Sequence, residues 1–107
     1  MRDLDGQSAP IASFARNLRM VSSLARAIYN VGEWRVEPDP EHPGRLMLEV
    51  REASAYSEPM RLAIEGFLNE CARAAREDLA HLFTSERPAQ DLIVLRMTRD
   101  IMDLRRD

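Results

Sequence analysis

A chain of 107 residues with 45% hydrophobic and 31% charged residues has the composition of one ordinary globular domain, outside the low-hydrophobicity range where disorder prevails. Its 18 acids outweigh its 15 bases for a formal net charge of −3, so no excess positive field draws in phosphate backbones or acidic lipid. Every base is an arginine, as in a GC-rich bacterial or phage genome, and the single cysteine excludes an internal disulfide framework and a four-cysteine zinc site.

Residues 1–7 carry Arg2, Asp3 and Asp5 without the apolar core of a signal peptide, and no run is long enough for a bilayer span. The expectation is a disordered N-terminal stretch on a single domain covering 1–107, in a reducing cytoplasm and away from membranes. Ser8 then offers an N-cap with Pro10 in the first turn. Ile11, Phe14, Leu18, Val21, Ala25 and Ile28 keep a three-and-four spacing that ends at Gly32, predicting an amphipathic helix to about Val31. Met20, Leu24 and Val31 widen its apolar stripe to roughly 160°, beyond what one packed face needs. Arg16, Arg19, Arg26 and Asn30 lie opposite, where a solvated face is expected.

The period next changes to two. Trp34 and Val36 alternate with Glu33, Arg35 and Glu37, and Leu46, Leu48 and Val50 alternate with Arg45, Met47, Glu49 and Arg51, predicting two strands. Between them Pro38, Pro40 and Pro43 make a stiff connection, so the unit is a long-loop hairpin. Trp34 opposite Val50 sets Glu33 against Arg51 and Arg35 against Glu49. A slip of two residues would oppose Glu33 to Glu49, at a cost of a few tenths to about 1 kcal/mol. The first register is therefore predicted.

Ser57 caps a second helix expected to run to about Phe83, with Met60, Ile64, Phe67, Leu68, Cys71, Ala75, Leu79 and Leu82 as its stripe. Arg61 with Glu65, and Arg73 with Glu77, read as exposed pairs. Beyond Pro88 the chain fits two patterns. Val94, Met97, Ile101 and Leu104 suit a C-terminal helix, whereas Leu92 to Leu95 is a continuous apolar run that suits a third strand over 91–98. The helix is the preferred reading. The fold class is α+β: long helix, β-hairpin, long helix, C-terminal helix.

Candidate chemistry is sparse. Cys71 sits on the apolar stripe and reads as a buried, inert thiol. His81, ten residues on, would lie about 80° around the same helix and 15 Å along it, unable to share a metal or proton with Cys71 and suited to a helix C-terminus. His42 stands in the proline-rich loop with Asp39 and Glu41, too few ligands for a dedicated metal site. Glu65, Glu70, Glu77 and Asp78 read as a solvated row. No catalytic, cofactor or metal residues are assigned, and the chain reads as a non-enzyme.

Three function classes follow. The leading one is a small non-catalytic interaction module, such as an accessory subunit, adaptor, inhibitor or chaperone-like protein. It would pair with itself as a homodimer, through helix one or the free edge of the hairpin, and with another protein, the candidate surface being Met20, Leu24, Val31 and Met47. The second is a DNA-binding regulator using Arg96, Arg99, Arg105 and Arg106, a charge set diluted by Asp91, Asp100, Asp103 and Asp107. The third is a minor enzyme or ligand binder using Cys71, His42 or His81.

Overall fold

The computed structural model describes residues 2–3, 7–30, 32–75 and 79–105. Helix α1 (Ala9–Tyr29) leads into strand β1 (Glu33–Pro38) and strand β2 (Leu46–Arg51). Helix α2 (Glu58–Ala75), strand β3 (Phe83–Ala89), strand β4 (Leu92–Met97) and a short 3-10 turn at Ile101–Arg105 follow. Ahead of α1, Arg2–Asp3 pairs with Gln7–Ser8 in a two-residue antiparallel ladder, within a stretch expected to lack order. No helix among the described residues is long and apolar enough to cross a membrane.

The four strands form one antiparallel sheet in the order β1-β2-β4-β3. The class is α+β, as the periodicities require, but the sheet is twice as wide as the predicted hairpin. Two expectations are corrected here. The preferred C-terminal helix is replaced by β4, the third-strand alternative. The second helix ends at Ala75 in its described course, and Phe83 opens a strand. As an interior strand, β4 has neighbours on both sides within the sheet. Ile93, Leu95 and Met97 point into the core, while Val94, on the other face, is buried as well.

The hairpin register is the predicted one: Trp34 faces Val50 and Val36 faces Leu48. The ions, however, close along each strand, Glu33 with Arg35 and Glu49 with Arg51, and not across the pair. Gly32 makes the turn from α1 into β1 at φ 88°, where an added Cβ would lie 2.6 Å from the Arg51 carbonyl oxygen. Only glycine fits there.

Both helices cover one face of the sheet. Ala15 and Leu18 of α1 and Ile64 and Leu68 of α2 meet Leu46, Leu48, Val50, Ile93, Leu95 and Met97, with Trp34 and Val36 packed at the margin. Tyr29 stacks on Trp34 with ring centroids 6.4 Å apart and meets Tyr56 edge-on at 6.5 Å, while the Tyr56 hydroxyl donates to the Tyr29 carbonyl. Those contacts tie the end of α1 to the β2–α2 connection. Ser57 caps α2 as expected, its Oγ accepting from the Met60 amide.

Candidate functional site

An edge strand presents backbone donors and acceptors that must be paired, covered or left for another chain. The Thr98 amide donates to the Leu82 carbonyl, opposite it in the ladder, which fixes the hydrogen-bonding phase of β3: the backbone groups of Phe83 and Ser85 point away from the sheet. Polar side chains of α2 meet them. Asn69 donates to the Phe83 carbonyl at 3.0 Å and accepts from its amide at 2.8 Å. Glu65 accepts from the Ser85 amide and hydroxyl, and Arg61 donates to the Ser85 carbonyl and hydroxyl oxygen. Spaced by four residues, Arg61, Glu65 and Asn69 share one face of α2 and act as a substitute strand.

Further along the same edge, Arg87 donates to the carbonyls of Ala53, Tyr56 and Gln90 and pairs with Glu58. Hydrogen bonds from Arg61 and Arg87 hold the Glu58 carboxyl below its ordinary pKa. Arg61 and Glu65 are therefore not a solvated pair but the cover of an edge. Of the predicted solvated row, Glu70 does remain at the surface, paired with Arg73.

The opposite edge is built differently. The Asp39 amide donates to the Arg45 carbonyl at 3.0 Å, and from that pair the alternation runs back along β1, turning the Val36 amide and carbonyl outward. No partner meets either Val36 group among the described residues. A groove of about 340 Å³ separates this edge from α1, bounded by Arg19, Ser22, Ser23 and Arg26 on the helix and by Trp34, Arg35, Val36 and Glu37 on the strand. On the outer side of α1, Met20, Leu24 and Ile28 are 63%, 56% and 62% exposed.

The other sequence candidates scatter. Met20 and Leu24 are at the surface as expected. Val31 lies outside the described residues. Met47 is a correction: it is only 7% exposed, because β2 is an interior strand and Met47 is flanked in the ladder by Glu37 and Arg96. His81 is likewise corrected, standing in the turn before β3 with its carbonyl accepting from Thr98 Oγ1, and not at the end of α2. Cys71 is half-buried in an apolar cleft of about 150 Å³ between α1 and α2, whose lining includes neither histidine. Burial pushes the thiol pKa up and Glu70 adds to the shift, which opposes nucleophilic use. Among the described residues, no group of three or more His, Cys, Asp or Glu is placed to hold a metal ion.

Compared with family models, curated proteins and solved structures, the chain matches none. The site has to be read from its own geometry.

Arg96, the first arginine of the DNA-binding alternative, is committed within the molecule. It donates to Asp39 Oδ1 and to Glu86 Oε2, both at 2.8 Å. Asp39 is buried in the β1–β2 loop, where Oδ1 also accepts from the Glu41 amide, while Oδ2 has no partner among the described residues. Desolvation alone would raise the Asp39 pKa, but the Glu41 amide, Arg96 and the nearby His42 outweigh it and hold the carboxyl below its ordinary value. The charged set around His42 thus braces a loop and leaves His42 itself at the surface.

Proposed function

We propose that this protein is a small non-catalytic interaction module that acts as a homodimer, with the outer row of α1 as its self-association face. The observation carrying the reading is the exposure of Met20, Leu24 and Ile28, each more than half open to solvent. Spaced by one helical turn, they form a row symmetric about Leu24. At 100° per residue, Ser13, Asn17 and Ala27 share that sector, so the face carries no charge. Two copies of α1 crossing antiparallel at Leu24 would set Met20 of each against Ile28 of the other, a self-complementary contact of the kind a two-fold interface requires.

Light scattering at micromolar concentration tests the reading. The wild-type protein should have the mass of a dimer and Leu24→Glu that of a monomer with unchanged circular dichroism. A wild-type monomer across that range overturns the dimer. The interaction reading also draws on the open edge of β1, which offers a second chain what β3 keeps for α2.

A further inference from the structure

The three arginines of α1 stand apart from those that follow. Arg35, Arg45, Arg51, Arg61, Arg73, Arg87 and Arg96 each pair with an acid. Arg16, Arg19 and Arg26 have no such partner among the described residues, and Ala9–Tyr29 contains neither Asp nor Glu. At 100° per residue the three fall within about 80° of one another, and Arg19 and Arg26 line the groove beside β1. A protein of net charge −3 thus keeps uncompensated positive charge in one place, beside the outward amide and carbonyl of Val36.

We propose that the groove between α1 and β1 receives an acidic, extended peptide segment of a partner protein, added to β1 as a further antiparallel strand, with its carboxylates on Arg19 and Arg26. The proposal rests on the reading of the protein as an interaction module and is independent of the dimer. The added segment pairs its backbone with Val36, as in strand-addition complexes, and alternate side chains turn toward the helix. Arg19 and Arg26 lie about 10 Å apart along the helix axis, and same-side residues of a strand recur at about 7 Å. The difference is within the reach of an arginine side chain, so carboxylates two residues apart can each meet a guanidinium. Small Ser22 and Ser23 between the arginines leave room for the incoming chain. Glu37 lines the same groove and selects against an acid directly opposite it.

A second copy of this chain suits the groove poorly, because a two-fold axis at β1 would bring the α1 arginines of both copies together. Nucleic acid is disfavoured by the overall charge and makes no use of the open backbone.

The test is fluorescence polarisation with the full chain and a labelled peptide of about eight residues alternating Glu with Thr and Val. Comparison ligands are the same peptide with Lys for Glu and a labelled oligo-dT of similar length. The acidic peptide should bind in a salt-sensitive manner, the Lys peptide should not, and R19E/R26E should weaken binding by about tenfold or more. Val36→Pro should weaken it too, since a strand needs that amide, and bound peptide should slow hydrogen exchange at Val36. Absence of binding at millimolar peptide, equal binding of both peptides, full affinity in R19E/R26E, or stronger binding of oligo-dT overturns the proposal. Repeating the titration with Leu24→Glu separates the two readings: a Leu24→Glu monomer that binds the peptide as the wild type does shows the groove to be independent of the dimer, whereas a monomeric wild type that binds it removes the dimer and keeps the groove.

Discussion

The two edges of this sheet solve one problem in opposite ways. At β3, four outward backbone groups, the amides and carbonyls of Phe83 and Ser85, meet Asn69, Glu65 and Arg61 of α2. At β1 the Val36 amide and carbonyl meet no partner among the described residues, and the neighbouring helix supplies arginine and serine at a groove's width. A protein that closes one edge with three side chains from a single helix face has the means to close an edge. The open one is therefore the natural place to look for a partner, and α1 differs from α2 in the way that matters. Its polar face carries charge of one sign, with no carboxylate or amide turned to the strand.

The sharpest way to break this comparison is to put proline on each edge. Ser85→Pro removes an amide that Glu65 accepts from and crowds α2, and should cost more than about 3 kcal/mol in urea denaturation. Val36→Pro removes an amide with no partner and should cost only about 1 kcal/mol, mostly lost packing of a half-buried valine. Equal losses would show that the two edges are not energetically distinct. Next in size, Asn69→Ala leaves both Phe83 groups without their bonds and should cost roughly 2 kcal/mol by the same measurement.

The smallest effect concerns the loop that ends the open edge. The folded-state pKa of Asp39 lies below its unfolded value, so its contribution to stability is complete above the unfolded pKa and is lost as pH falls through the folded one. Wild-type stability should therefore decline below about pH 4 in step with Asp39 protonation. Asp39→Asn should be less stable by about 1 kcal/mol at neutral pH, with the two proteins converging in acid, as followed by thermal melts across pH. A constant gap down to acid pH would place the effect of the substitution in packing instead of charge.

Legibility in the sequence followed the range of the interactions. The Ser57 cap and the β1–β2 register rest on neighbours a few residues apart or on one short hairpin, and both are found where the sequence puts them. Leu18 and Ala25 of the α1 stripe are buried as expected, but Ile28 is 62% exposed because the buried face of α1 runs through Ala15, Leu18, Ser22 and Ala25. The segment after α2 departs from expectation at two points. Leu92 to Leu95 suits a strand while Val94, Met97, Ile101 and Leu104 suit a helix, so the overlapping residues fit either spacing. Phe83–Ala89 lacks an alternating apolar face because Ser85 and Arg87, on its helix-facing side, meet polar groups of α2 and its approach. Of the candidate surface, Met20 and Leu24 are visible as surplus apolar positions, whereas Met47 is covered because β4, the less favoured strand reading of 91–98, pairs along the far side of β2.

Sequence alone determined the helix–hairpin–helix opening, its register, and an apolar surplus on α1, because these depend on local spacing and on charge opposed across a hairpin. Tertiary structure alone decided that β4 enters the sheet between β2 and β3, which polar row covers an edge, and which of the described arginines find an acid. A row such as Arg61, Glu65 and Asn69 has the same spacing whether it faces water or a strand. Only the docked neighbour, brought close by burial of Ile64 and Leu68, distinguishes the two.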